Sequence, residues 1–142
     1  MLEIARETNN DGIFQKDISL RQKLSIKYLD QIITALKAAN LIINVKGKKS
    51  GYILSKPASK ITLLDLHNAF EPNFTVVDCI ATNYVCEKEK YCASKKFWQG
   101  LNNMISDYFK SFTLADMLTQ QIDLEIIAGI YIPDNPCDEP RL

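Results

Sequence analysis

Histidine occurs once in these 142 residues, as His67, and glycine and proline only five times each. A single histidine without a positioned partner makes neither a catalytic dyad nor a histidine-based metal site, so His67 reads as a surface or half-buried helical residue. Glycine-rich phosphate loops, a nucleophile elbow and paired catalytic carboxylates are also missing, which argues against an enzyme. No apolar run approaches the roughly 20 residues that span a bilayer, the longest being Ile126 to Ile132. The opening Met1-Leu2-Glu3 has no basic region followed by an apolar one, so no secretory leader is expected. Together these absences point to the cytoplasm and away from the membrane.

What is present is an ordinary globular composition, 46% hydrophobic and 24% charged, at a length suited to one domain and an appendage. The formal net charge of zero hides an asymmetry. Residues 1–60 hold 11 Lys and Arg against 5 Asp and Glu, 11 − 5 = +6. Residues 61–142 hold 6 against 12, 6 − 12 = −6. One half is suited to meet an anion, for which a phosphate backbone is the commonest candidate, although lysines also simply solvate surfaces.

The pattern sharpens that expectation. A helical segment from Leu2 to Glu7 precedes a turn, Thr8 to Gly12, and a short helix from about Gln15 to Lys23 carries Ile18 and Leu20, with Leu24 following. Ser25 fits as the N-cap of a helix running to about Ala39, in which Ile26, Leu29, Ile32, Ile33 and Leu36 form the inner stripe. Lys27, Tyr28, Asp30, Gln31 and Thr34 stay on or beside the open face. Two short helices joined by a tight turn, the second polar early in its length, can enter a major groove. After Asn40, a helix stop, Leu41 to Val45 reads as a strand with Tyr52 to Leu54 as its partner. Lys46-Gly47-Lys48-Lys49-Ser50-Gly51 between them is a hairpin tip with three lysines for phosphates, a wing, or else a merely solvated hairpin.

Three of the four cysteines, Cys79, Cys86 and Cys92, share the stretch DCIATNYVCEKEKYC. Crowded thiols in a reducing compartment suggest a metal, an iron–sulfur cluster or redox chemistry with each other. Their spacing is not the tight C-x-x-C of a zinc ribbon, and three small hydrophobes sharing a loop remain the plain alternative. Asp78, Glu87 and Glu89 lie near enough to complete a site, or are solvated charge; Cys137 stands alone and incidental. From Ser94 to Ser111, Phe97, Leu101, Met104 and Tyr108 make one helical stripe and Trp98, Ile105 and Phe109 its neighbour. So wide an apolar arc suits a helix that packs on its own domain and on a second copy, unless the helix is buried within one domain. A short helix opened by Thr113 with Asp116 in capping spacing follows, as Thr62 and Asp65 open an earlier one.

The run SIKYLDQIITALKAANLIINVKGKKSGYILSKP, Ser25 to Pro57, resembles the recognition helix and wing of the Rrf-two family of bacterial transcription regulators, the IscR, NsrR and CymR type. The resemblance continues through ITLLDLHNAFEP, the three-cysteine loop and KKFWQGLNNMISDYFKSFTLADML to near Leu118. It implies a mainly α fold with a small β-hairpin: a winged helix-turn-helix domain over 1–70, a cysteine-containing sensor loop over 71–93, and a dimerisation helix and a short following helix over 94–120; the proline-containing tail over 121–142 lies outside the resemblance and is expected to be mobile. It also implies a homodimer on a palindromic operator of double-stranded DNA, and in some members an iron–sulfur cluster. Family members usually begin with a further dozen or so basic residues, so the chain is expected to open partway along its first helix. Some relatives draw a fourth cluster ligand from that segment, others from a histidine three positions after the last cysteine. Lys95 stands at the latter position and cannot serve, so no complete four-ligand set is visible.

The mechanism expected from this reading has Lys46, Lys48, Lys49, Ser50 and Gly51 anchor the wing. Ser25, Lys27, Tyr28, Asp30 and Gln31 place the recognition helix, with Lys27 and Gln31 as base readers and Asp30 repelling phosphate or accepting from cytosine. Assembly, loss or modification of a cluster by an oxidant or nitric oxide would reorder the cysteine loop and shift the recognition helices. The competing expectation is a zinc-stabilised or metal-free winged-helix protein-interaction module.

Overall fold

The computed structural model describes residues 1–7, 11–45, 51–81 and 84–119, with the backbone only at Glu89. Within them the chain forms α1 (Leu2–Arg6), α2 (Gln15–Gln22), α3 (Ile26–Ala38), β1 (Ile42–Asn44), β2 (Tyr52–Leu54), α4 (Leu63–Asn68), α5 (Ser94–Ser111) and α6 (Leu114–Thr119). Single 3-10 turns at Ala58–Lys60, Asp78–Ile80 and Glu89–Tyr91 complete it.

The ends of α3 follow from its sequence. Ser25 caps it, its hydroxyl accepting the Tyr28 N–H at 3.2 Å. Loose amides at a helix start need such an acceptor. At the other end Asn40 takes a left-handed φ of 56°, tolerable for asparagine. The Leu41 N–H then reaches back to the Leu36 carbonyl at 2.9 Å and the Asn40 N–H to that of Lys37 at 3.0 Å. Leu36 and Leu41, the apolar pair that accompanies this closure, are both buried in the core.

β1 and β2 pair antiparallel with Ile42 opposite Leu54, Ile43 opposite Ile53 and Asn44 opposite Tyr52. A third rung lies ahead of α2, just past the turn expected over Thr8 to Gly12. Ile13 pairs with Tyr52, its N–H donating to the Tyr52 carbonyl at 3.1 Å and its own carbonyl accepting at 2.8 Å. Gly12 makes this possible with a φ of +67° and no Cβ; a Cβ there would lie 2.7 Å from the Tyr52 oxygen. Ile4, Ile13, Ile18, Leu29, Ile33, Leu36, Leu41, Ile42, Ile61 and Leu114 form one core cluster beneath these elements.

Ile26, expected in the inner stripe of α3, is placed differently, and Leu20 of α2 is exposed as well. Ile26 is 54% exposed and Leu20 67% exposed. Ile26 sits on the first turn of α3 beside exposed Ser25, Lys27 and Tyr28, so that turn stands clear of the body and its apolar residue is bare with the rest.

α4 and α6 open with matching capping boxes. The Thr62 hydroxyl accepts from the Asp65 N–H at 3.0 Å while the Asp65 carboxylate accepts the Thr62 N–H at 3.2 Å. Thr113 and Asp116 repeat the exchange, at 3.3 Å to the hydroxyl and 2.7 Å to the carboxylate. Partial burial alone would raise the Asp65 carboxyl, but the Lys56 ammonium at 3.1 Å and the Thr62 hydrogen bonds outweigh it and hold the group below the usual carboxylate range. Hydrogen bonds from the Thr113 hydroxyl and N–H likewise hold Asp116 low.

The two caps meet. Thr62 and Thr113 form an antiparallel bridge, with the Leu63 N–H on the Phe112 carbonyl at 2.9 Å and the Leu114 N–H on that of Ile61 at 2.8 Å. α6 then packs on α1 and on the turn at Ala58–Lys60. The cysteine segment and α5 are therefore an excursion that leaves the winged-helix body after α4 and returns to it at α6.

Candidate nucleic-acid interface and cysteine segment

The α2–α3 turn is three residues long, Lys23-Leu24-Ser25, with Lys23 at a left-handed φ of 52°. Its shape is held by the Ser19 hydroxyl, which donates to the Leu24 carbonyl at 2.6 Å, and by the Leu24 N–H on the Ser19 carbonyl at 3.1 Å. Beyond it Ser25, Lys27, Tyr28, Asp30, Gln31 and Thr34 are all exposed, while Leu29, Ile33 and Leu36 face inward. The expected reading face is thus gathered on one side of α3.

Some residues assigned to DNA or to this face are also engaged within the protein: Ser25 caps α3, the Thr34 hydroxyl donates to the Asp30 carbonyl at 2.7 Å, and Asp30 and Gly51 have partners of their own. The Asp30 carboxylate accepts from Gln15 Nε2 at 2.5 Å, and the same amide lies 3.4 Å from the Ile26 carbonyl. Gly51 is buried at the base of the hairpin. Its N–H donates to the Asp11 carbonyl at 3.2 Å and its carbonyl accepts the Val45 N–H at 3.0 Å. Lys46, Lys48, Lys49 and Ser50 lie outside the described residues, as do the tail from 120 onward and Cys137.

Gln15 and Ile26 are functional candidates that sequence reading missed. Nothing in spacing marks a glutamine on one helix as the partner of an aspartate on the next. Ile26 was legible only as one more member of the inner stripe.

Cys79 lies in the turn Asp78–Ile80, Cys86 in irregular chain, and Cys92 just past Glu89–Tyr91; all three are half-buried free thiols. Among the described residues no three His, Cys, Asp or Glu side chains come together in a group able to hold a metal ion. The cluster that the family resemblance implies in some members, and the zinc of the competing reading, therefore have no gathered ligand set among the described residues. The segment is instead fastened to α5: the turn carrying Cys79 packs on that helix, and the Val76 N–H donates to Asn102 Oδ1 at 3.1 Å.

The two stripes of α5 separate in space. Phe109 meets the edge of His67 on α4 at a ring distance of 5.3 Å, and His67 meets Phe74 at 4.9 Å. With Ile105 these rings line a cleft of about 430 Å³ between α4, residues 72–74 and α5. In the other stripe Phe97 is 65% and Met104 53% exposed, while Leu101 and Tyr108 are half-buried, Tyr108 against Phe112 at a ring distance of 5.0 Å. No residue of the 18 in α5 is buried. Among the described residues no helix is long and apolar enough to cross a membrane.

With the winged-helix geometry in place, the comparison with known sequences is decisive. The profile of the Rrf2 family, described as "Iron-dependent Transcriptional regulator", matches residues 1–120. The chain belongs to the Rrf2 family. It is a transcriptional regulator with a winged-helix DNA-binding fold, not an enzyme. A Neisseria meningitidis serogroup A protein whose name carries the words HTH-type transcriptional regulator is 31% identical over 121 residues, 85% of this chain and 81% of that one. The HTH-type transcriptional regulator IscR of Yersinia pestis is 29% identical over 126 residues, 89% of this chain and 76% of its own. Among solved structures CymR, the global cysteine regulator of B. subtilis, superposes with a TM-score of 0.68 at 25% identity, covering 84% of this chain and 87% of its own.

Proposed function

We propose that this Rrf2 chain binds a palindromic operator as a homodimer and that the state of its cysteine segment adjusts operator affinity. One observation carries the DNA part: the first turn of α3 stands clear of the body with its polar residues exposed, on a helix whose inner stripe is locked in the core. Ser25 and Tyr28 meet the backbone, Lys27 and Gln31 read base edges, and bare Ile26 suits a thymine methyl group. Lys46, Lys48 and Lys49 neutralise phosphates flanking the site. Replacing Lys48 and Lys49 with Glu is expected to weaken operator binding about a hundredfold at physiological salt and to flatten its salt dependence, since each phosphate contact adds roughly one unit to that slope. Fluorescence anisotropy on labelled duplex measures both; unchanged affinity would remove the wing from the interface.

Dimerisation is assigned to the stripe of α5 that holds exposed Phe97 and Met104 with half-buried Leu101 and Tyr108, while Ile105 and Phe109 pack at home and Trp98 is half-buried beside Phe97. The described residues gather no group able to hold a metal ion, and the proposal rests on the thiols themselves. The segment acts as thiols. Two of them give up two protons and two electrons to hydrogen peroxide, forming one disulfide and two waters. Because the turn holding Cys79 packs on α5, such a bond would shift the helix that sets the distance between the two reading heads. Cys79→Ala is expected to keep the fold and operator affinity but to lose the difference between peroxide-treated and reduced protein. A variant that still responds like the parent sinks this assignment.

A further inference from the structure

The α2–α3 pair is held by a contact that the reading of α3 alone does not use. Gln15 is the first residue of α2, and its side-chain amide spans to α3, reaching the Asp30 carboxylate at 2.5 Å and the Ile26 carbonyl at 3.4 Å. Two residues earlier, Ile13 is pinned to Tyr52 of β2 by the paired hydrogen bonds at 3.1 and 2.8 Å. The stretch from Ile13 to Gln15 therefore touches the base of the wing at one end and the first turns of the recognition helix at the other. Both parts must meet one duplex in a fixed relation, because a base reader misplaced by about 1 Å loses its hydrogen bonds.

Resting on the DNA-binding reading above, we propose that Gln15 is a positioning residue for operator recognition and that Asp30 contributes through it, as the acceptor that fixes the seat of α3, rather than by reading a base. A carboxylate facing phosphates opposes binding to any DNA. Its presence on this face is accounted for by the hydrogen bond it accepts. An amide-to-carboxylate bond is charge-assisted and directional, and the second reach of Gln15 to the Ile26 carbonyl orients the turn that carries Lys27 and Tyr28.

The test compares affinity for the best duplex enriched from a random DNA pool by the parent chain with affinity for a scrambled duplex. Gln15→Leu is expected to lower that ratio about tenfold while scrambled-DNA affinity and salt slope hold, since no phosphate contact is lost. Asp30→Ala lowers the ratio similarly, and adding Gln15→Leu to it brings no further loss, the signature of one shared contact. Asp30→Asn keeps an acceptor for Gln15, so it holds the parent ratio while both affinities rise with the lost negative charge. A Gln15→Leu ratio within about twofold of the parent, a loss in step with thermal unfolding, or an Asp30→Asn that loses discrimination at one base pair overturns the proposal. If the parent enriches no duplex, the DNA-binding reading falls and the proposal with it; if it does and Gln15→Leu is silent, the proposal alone falls.

Discussion

Met104→Glu is expected to leave a folded monomer that binds operator roughly a hundredfold more weakly than the parent, the order of avidity lost when two linked sites are separated. Met104 sits on the stripe of α5 assigned to dimerisation, 53% exposed, in a helix with no buried residue among 18. A helix with an apolar stripe needs a second surface to cover it. In a two-fold arrangement each change is met twice, so two carboxylates would be brought into one apolar seam. Sedimentation and anisotropy on the same preparation check it. A variant that remains dimeric, or a parent chain that is itself monomeric at micromolar concentration, would place the interface elsewhere or remove it.

Gly51→Ala is expected to destabilise the fold by about 3 kcal/mol, the range of a methyl forced into filled space. A Cβ on Gly51 would stand 2.5 Å from the Asp11 carbonyl oxygen and 2.5 Å from the Gly12 carbonyl carbon. Both are backbone atoms with no rotamer to yield. The chain must open there, which removes the Gly51 to Asp11 hydrogen bond and loosens the adjoining Ile13–Tyr52 pair. Thermal unfolding followed by circular dichroism should show a midpoint roughly 10 °C lower. A shift within about 2 °C would mean that the hairpin base is looser than described. Because the strand that carries the wing starts from this contact, operator affinity is expected to fall with it.

Local signals in the sequence were read correctly where a residue acts on its own neighbours. Ser25 as a cap, Asn40 as a stop, the boxes at Thr62–Asp65 and Thr113–Asp116, and the span of the long helix each follow from hydrogen-bonding chemistry within a few positions. What escaped was long-range. The Ile13–Tyr52 rung and the Gln15–Asp30 bond join residues 39 and 15 positions apart. Gly51 was assigned to a phosphate-binding tip, yet its place is set by a close approach of the Asp11–Gly12 backbone that no periodicity encodes. The exposure of Ile26 was invisible for a related reason: helical spacing defines a stripe without saying how far along it the supporting core extends. The cysteines are a different case: their crowding in sequence suggests a shared ligand, and among the described residues no group of three His, Cys, Asp or Glu side chains able to hold a metal is gathered.

The most direct test of the account is enrichment of duplexes from a random pool by the full chain, followed by measurement of the number of chains bound per duplex. The account predicts an inverted repeat with half-sites about one helical turn, ~34 Å, apart, occupied by two chains. A pool that stays random, or a single asymmetric site filled by one chain, would contradict it.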